Sequence, residues 1–547
     1  MKKRNLILPL TAGLLASCLI GCGGVHEGEE EDPDKANLTV ATLDKGIGTA
    51  WLTTAAEEFM KIHANSTDFQ EGRTGVKVII SGSTSYNGSY IENQALNKDI
   101  YFTEGIDYRN LVKKGKFLDI TEIMDTPLTD YGENKTIKSK LDATMDNYLN
   151  VDGKYYGIPF YDSFYGLVYD MTLWDKKGFY LSKAGQFVRK NGDLSLGTDN
   201  VAGTLDDGLP ATYEEFGKLI KKLRDSGVTP FLTANNGLEY TANYLFNVYA
   251  DYEGVENMKM TIDFSGTATD LVAENGITFN VDGSLRDIQY KPATAITDSN
   301  AYELTRQAGH YHALSFLKDI LLSSSDNYYT DSAHTVAQQT FVYGSQNQKP
   351  YGMIIEGSWW ENEARNTIQN YYDTYGKRSD YAIMPIPFLN AEKAAASNYK
   401  HTYLSLSQSF GIVSASTPQK KLALEFMKFL HTDKMMSKFT QSTSITRPLN
   451  YEIAEEDQAG LSTYAKSLID LKKNANIFYP YSTNKLQLDN PRNFTAFHWA
   501  WDTKINGNIY YYPWQYFVGS KEENKTALKY FDGQYDYFSG IWSSLNR

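Results

Sequence analysis

Between residues 38 and 107 the chain switches repeatedly between the period of a strand and the period of a helix, and this alternation restricts the fold more than any other feature. Residues 38–43 are a short apolar run that ends at Asp44-Lys45-Gly46. Leu52, Ala55, Ala56 and Phe59 then recur at helical spacing within residues 49–63. Val76, Val78 and Ile80 alternate as a strand does, ahead of Ser81-Gly82-Ser83. Another short strand is expected at 99–102, followed by Glu104-Gly105 and a helix from Asp107. Strands and helices in turn predict an α/β fold, a parallel sheet covered by helices. Ligands of such sheets gather at the carboxyl ends of the strands, so the loops at Asp44, Ser81 and Glu104 become candidate ligand loops.

Further along, Thr212-Tyr213-Glu214-Glu215 has capping-box spacing and opens a helix with Phe216, Leu219, Ile220 and Leu223 on one face. Gly227 and Pro230 are expected to stop it. A second helix is expected from Thr417, with Pro418 in its first turn and Leu422, Phe426, Phe429 and Leu430 on its buried side. Glycine and asparagine cluster at 191–208 and again at 254–300, which predicts long loops there.

The amino terminus sets the compartment. Lys2, Lys3 and Arg4 precede an apolar run over residues 6–20, the pattern of an export signal. The run is shorter than the roughly 20 residues a helix needs to cross a bilayer. Its ending, Leu19-Ile20-Gly21-Cys22, resembles a bacterial lipoprotein lipobox. The resemblance implies a signal peptide at 1–21, cleavage before Cys22, lipid on that thiol, and anchoring at the extracytoplasmic face of the cell membrane. The plainer alternative is an ordinary signal with an incidental cysteine. The other cysteine, Cys18, lies in the segment to be removed, so the mature chain has no internal disulfide and its core must hold the fold unaided. Residues 22–36 carry Glu27, Glu29, Glu30, Glu31, Asp32 and Asp34 with almost no apolar residue, and read as a solvated tether.

A net charge of −13 argues against nucleic acid and anionic lipid as partners. With 41 tyrosines and 8 tryptophans the chain is rich in residues that pair a flat apolar face with a polar handle. Much of that supply fills a core, but sugar rings also offer C–H faces to aromatic planes and hydroxyls to polar groups.

A series of segments follows in order. They are Asp152-Gly153-Lys154-Tyr155-Tyr156-Gly157-Ile158-Pro159, then Leu167-Val168-Tyr169-Asp170 with Trp174, then Leu209-Pro210-Ala211-Thr212-Tyr213. Phe341-Val342-Tyr343-Gly344 precedes Met353 and Gly357-Ser358-Trp359-Trp360; Met384-Pro385-Ile386-Pro387, Phe410-Gly411-Ile412-Val413 and Thr446-Arg447-Pro448 complete the series. Together they resemble the carbohydrate-binding extracellular solute-binding proteins of ABC importers, the group that includes maltose-binding protein, over roughly residues 38–451. The resemblance implies a two-lobed, periplasmic-binding-protein-like clamp with an interlobe hinge. Lobe one would comprise 37–160 with 382–447 returning to it, and lobe two 161–381 with 448–547. The chain would cross near 159–164, near 383–387 and near 447–450.

The same resemblance implies a site. Asp44 and Lys45 match a loop that binds sugar hydroxyls, and Trp51 would add a stacking face or serve the core. Glu104 falls in a loop that carries contacts, although Thr103 stands where a platform aromatic can occur. Asp162 lies beside a cleft carboxylate position, Tyr240 matches an aromatic contact of the second lobe, and Trp359, with Trp360 as the alternate, matches the cleft tryptophan. Trp499, Trp501 and Trp514 either line the cleft or pack the last helices. The implied partners are an oligosaccharide, the transmembrane subunits of a permease and, through lipid, the membrane; the implied state is a monomer without catalysis. Asp193, Asp199, Asp206 and Asp207 lie among glycines and are candidates for a structural Ca²⁺, although no EF-hand spacing is met and such loops are often plain turns. No Walker loop, H-E-x-x-H, G-x-S-x-G or C-x-x-C occurs. The strongest alternatives are a lipid-anchored glycoside hydrolase, which needs two carboxylates across a cleft, and a surface adhesin.

Overall fold

The computed structural model describes residues 30–344, 349–406, 408–494, 499–522 and 524–545. Cys22 and the rest of the export signal lie outside the described residues. Among those described, no helix is long and apolar enough to cross a membrane.

Each of two lobes is built on a five-stranded sheet, and the two sheets share one pattern. In the first, the strands Ala36–Leu43, Val76–Ser83 and Ile100–Thr103 run parallel. Phe410–Val413 joins antiparallel to Ile100–Thr103, and Gly157–Pro159 closes the sheet beside it. In the second, Tyr328–Thr330, Thr229–Thr233 and Tyr351–Gly357 run parallel. Tyr165–Asp170 joins antiparallel, and Tyr381–Met384 pairs on its outer side. One antiparallel strand in each sheet is the mark of a chain that crosses between lobes, because the crossing strand enters from the opposite direction.

The local expectations hold in large part. The helix Ala50–Ile62 buries Trp51, Leu52, Ala55, Ala56 and Phe59 on one face. Tyr213–Asp225 buries Phe216, Leu219, Ile220 and Leu223, and the Thr212 side chain caps it by accepting from the Glu215 N–H. The Glu215 carboxylate reaches back one residue further than a capping box requires, to the Ala211 N–H. Pro230 falls within the following strand instead of in the stop signal. The later helix begins at Lys420, after Pro418, and buries Leu422, Phe426, Phe429 and Leu430.

Two organisational expectations need correction. Residues 254–300 are not a long loop. The helix Glu239–Asp263 runs through the first of them, and Val272–Phe279 then pairs with Leu285–Tyr290 as an antiparallel hairpin. The glycines and asparagines there serve the hairpin: Gly283, at φ +82°, makes its turn, and Asn275, at φ +55°, sits in an irregular stretch of the register. The second correction concerns the return to lobe one. Tyr381–Met384 is a strand of the second sheet, and Thr402–Leu404 pairs with Asn476–Phe478. The chain therefore re-enters lobe one between Leu404 and Phe410, not at 382. The hydrophobic run at 381–384 satisfies either sheet, and only strand pairing chooses between them.

The last segment belongs to the second lobe. Trp499, Trp501 and Trp514 are buried in its core, as are Phe531, Phe538 and Trp542 of the helix Ala527–Leu545. Trp501 stacks on Phe246 at 5.1 Å and donates its indole N–H to the Ala242 carbonyl. Of the two roles open to these tryptophans, packing is the one the structure gives.

Candidate functional site

The lobes meet along a seam at the carboxyl ends of the two sheets. On the first-lobe side the strand Ala36–Leu43 ends in a tight turn, with the Asp44 N–H donating to the Ser83 carbonyl and Gly48 taking a positive φ of 66°. Asp44 is half-buried and leans against Gly82; a Cβ on Gly82 would stand 3.4 Å from its Oδ2. The exposed Lys45 ammonium pairs with Glu104 Oε1 at 3.0 Å. Glu104 Oε2 accepts the Tyr161 hydroxyl at 2.5 Å. Asp44, Lys45 and Glu104 are thus brought together, and Tyr161 joins them from the first crossing.

On the second-lobe side Tyr165 pairs with Gly357 at the end of Tyr351–Gly357. Trp359 follows two residues later and meets the Tyr165 ring edge-on at 5.2 Å. Tyr240 also meets the Tyr165 ring edge-on, at 5.6 Å. Trp359 is half-buried and packs against the cores of both lobes. Two glycines make its slot: a Cβ on Gly46 of lobe one would lie 2.7 Å from the indole, and one on Gly357 of lobe two 2.3 Å. Next to it the Asn362 amide donates to the carbonyls of Gly46 at 2.6 Å and Ile47 at 2.8 Å. Glu361 accepts the hydroxyls of Ser444 and Ser462, both at 2.6 Å. The lobes are held together at this edge by groups that water can also satisfy.

Behind Trp359 lies a polar chain. The buried Glu356 accepts from the Gln338 amide at 3.2 Å and from the Gly357 N–H at 3.1 Å. The same Gln338 amide donates to Glu363 at 2.6 Å, and Glu363 meets His334 at 3.4 Å. Burial, reinforced by the Glu363 charge, raises the Glu356 carboxyl well above its ordinary range. A carboxyl held towards its protonated form donates a hydrogen bond. The hydrogen bond with Glu363 raises the His334 imidazole, and the Lys45 charge across the seam opposes this. Burial raises the Tyr240 and Tyr165 hydroxyls, with Glu356 and Glu239 respectively the next contributors. Aromatic faces, carboxylates, an amide and an ammonium therefore share one interlobe space, the mixture that binds hydroxylated rings.

Three expected contacts take other roles. Trp360 is fully buried in the second lobe, edge-on to Tyr381 at 4.8 Å and packed on Tyr464. The turn after Gly357 sends adjacent side chains to opposite sides, one to the seam and one to the core. Trp51 is buried among Phe102, Phe160 and Phe439, with the Arg447 guanidinium 5.3 Å from its ring, because it sits on the sheet-facing side of its helix. Asp162 is fully buried at the first crossing. It accepts from Thr446 at 2.7 Å, Lys472 at 2.8 Å, Tyr479 at 3.2 Å and Ser405 at 3.3 Å, which leaves it no capacity for a ligand.

Most of the aspartates at 193–207 are engaged by nearby donors. Asp206 accepts from the Thr198 N–H and hydroxyl, the Asp199 N–H and the Thr204 hydroxyl. Asp207 accepts from the Gly203 N–H, and Asp193 pairs with Lys183. These carboxylates tie the loop to itself through N–H and O–H donors. Among the described residues no group of three or more His, Cys, Asp or Glu is placed to hold a metal ion.

Tyr161, Tyr165, Glu356 and Asn362 are the seam residues that sequence reasoning missed. Tyr165 begins its strand, whereas the strand-end rule looks for carboxyl ends; in an antiparallel strand the amino end lies at the carboxyl edge of its neighbours. Glu356 was within reach of that rule, as the penultimate residue of a parallel strand.

The family model for bacterial extracellular solute-binding proteins matches residues 49–437. No match is found among the curated proteins. Solved structures share the fold at low identity. The GacH receptor of Streptomyces glaucescens, solved without ligand and with acarbose, is 14% identical with a TM-score of 0.53, over 93% of this chain and 99% of that one. The cyclic alpha-maltosyl-1,6-maltose binding protein of Arthrobacter globiformis is 12% identical with a TM-score of 0.52, over 93% and 100%. RafE in complex with raffinose is 15% identical with a TM-score of 0.52, over 92% and 100%.

Proposed function

The chain belongs to the bacterial extracellular solute-binding proteins, and on that premise we propose that it captures a carbohydrate, an oligosaccharide by preference, in the interlobe seam and delivers it to the permease of an ABC importer. Family membership implies work outside the cytoplasm, and in this reading lipid at Cys22 holds the clamp to the membrane. Similar folds bind acarbose and raffinose, which supports a sugar as the solute. The single observation that carries the reading is Trp359, seated between Gly46 of one lobe and Gly357 of the other with Tyr165 and Tyr240 beside it.

The mechanism is capture without chemistry. The open lobes admit the sugar, Trp359 and the tyrosines take ring faces, and Glu104, Lys45, Asp44 and Glu356 take hydroxyls. The ligand touches both lobes only when they are closed, and this differential affinity shifts the population to the closed form. A micromolar dissociation constant corresponds to about −8 kcal/mol, and a buried tryptophan hot spot contributes about 2 kcal/mol or more.

A thermal-shift screen against a glycan panel identifies the sugar, and calorimetry with that sugar tests the site. Trp359→Ala is expected to weaken binding by about tenfold or more. Unchanged affinity would remove Trp359 from the site. Any cleavage product from prolonged incubation with the same sugar would overturn capture in favour of hydrolysis.

A further inference from the structure

The helix Glu239–Asp263 carries Tyr240 at the seam, yet its own first turn does little to hold it there. Leu238, the residue before the helix, has no side chain that can accept from the first helical amides, and no side-chain cap is made. The loop that leads into it, Asn235-Asn236-Gly237, has three positive φ angles in succession, 51°, 51° and 77°. Asparagine and glycine tolerate this backbone better than other residues, but a run of three has to be imposed by the surroundings. One restraint is the Asn236 N–H, which donates to the Asp331 carbonyl at 2.8 Å, just after the strand Tyr328–Thr330.

A second restraint comes from the far end of the chain. Trp514 is buried with its indole against Gly237, where a Cβ would stand 2.2 Å from the ring. The same indole meets Tyr328 edge-on at 5.0 Å. Past Tyr240, the Trp501 indole N–H donates to the Ala242 carbonyl at 3.2 Å. Tyr240 is thus bracketed, at 237 and at 242, by two tryptophans of one carboxyl-terminal segment. That segment lies beyond residues 49–437, which the family model matches. The helix Ala527–Leu545 anchors it: the Tyr530 hydroxyl donates to the Trp501 carbonyl, and the Gln534 amide donates to the carbonyls of Trp499 and Ala500.

Resting on the carbohydrate reading of the seam, we propose that this segment is a positioning element for the sugar site, and that Trp514 sets the place of Tyr240 by filling the space over Gly237. Trp514 touches no sugar; it acts through the loop and the helix start that carry Tyr240. A ring already held in place loses less freedom when a sugar arrives, so loosening it weakens affinity without removing a contact. Were the indole ordinary core, its loss would lower stability and leave the seam unchanged.

The test uses the full chain. Trp514→Phe keeps an aromatic ring and opens a gap over Gly237, and Gly237→Ala disturbs the same contact from the loop side. Without sugar, hydrogen exchange at the amides of 242–246 should accelerate by about tenfold in Trp514→Phe, with the first-lobe helix Ala50–Ile62 unchanged. Calorimetry with raffinose, maltotetraose and chitotetraose then runs a cycle with Tyr240→Ala. Trp514→Phe and Gly237→Ala should each weaken the sugar the parent chain binds by about fivefold, and should do nothing further once Tyr240 is replaced. Exchange that accelerates equally in both lobes, or the same affinity loss with and without Tyr240, would overturn the proposal. Unchanged affinity in Trp514→Phe while Tyr240→Ala weakens binding would overturn it and leave the seam reading intact. A parent chain that binds none of the three sugars, or Tyr240→Ala without effect, would count against the seam reading instead, and the exchange at 242–246 would still decide whether Trp514 holds the loop.

Discussion

The first crossing between the lobes and the seam that faces it both bury a carboxylate among aromatics, but they equip it differently. At the crossing Asp162 meets an ammonium and three hydroxyls, so its charge is neutralised and its oxygens are saturated. At the seam Glu356 has one amide and one backbone N–H and a second carboxylate, Glu363, nearby. The first arrangement holds two lobes to a shared axis; the second leaves hydrogen-bonding capacity for something that arrives. Trp360 and Trp359 repeat the contrast one residue apart, the first enclosed by Tyr381 and Tyr464 and the second packed on both lobes.

Trp360→Ala should cause the largest loss, about 3–5 kcal/mol of stability by urea unfolding, because an indole-sized void opens in a close-packed core. Asp162→Asn should cost about 3 kcal/mol in the same assay, because the half-buried Lys472 ammonium loses its counter-charge. A loss under 1 kcal/mol would mean that the crossing is not a structural lock. Trp359→Ala should change stability by no more than about 1 kcal/mol while affecting sugar affinity, since its ring already borders the seam. Comparable stability losses for the two tryptophans would erase the distinction between them.

Glu356→Gln sharpens the comparison through pH. The folded carboxyl titrates above its ordinary value of 4.5. The native state therefore holds its proton more tightly than the unfolded state does. As pH rises past 4.5 the unfolded chain ionises first, and stability falls until the folded group ionises too. Glu356→Gln should remove this decline and leave the chain more stable than the parent at pH 8. A parallel pH profile in the two proteins would place the carboxylate in an ordinary environment.

Local periodicity made the first lobe's strands and helices legible, because each is short and half-buried and its pattern repeats within one element. It also exposed the Asp44, Lys45 and Glu104 loops, which leave the carboxyl ends of parallel strands. It misread 254–300, where turn residues serve a hairpin, and 381–384, where an apolar run suits either sheet. It ranked Trp51 and Asp162 with the ligand contacts, since nothing in residue type separates a tryptophan in a core from one in a cleft. Residue type likewise does not separate a carboxylate that anchors a crossing from one that waits for a ligand.

The sequence by itself determined the α/β character, the covering helices, the acidic and aromatic composition, and the segment order that resembles a two-lobed clamp, because these are properties of composition and near neighbours. Which residues face each other across the seam was decided only by tertiary structure. Gly46 and Trp359 are brought together by separate lobes, as Asp162 of the first crossing is joined by Lys472 of the helix Thr463–Asn474. Their contacts depend on strand pairing, and pairing answers to the packing of the whole chain.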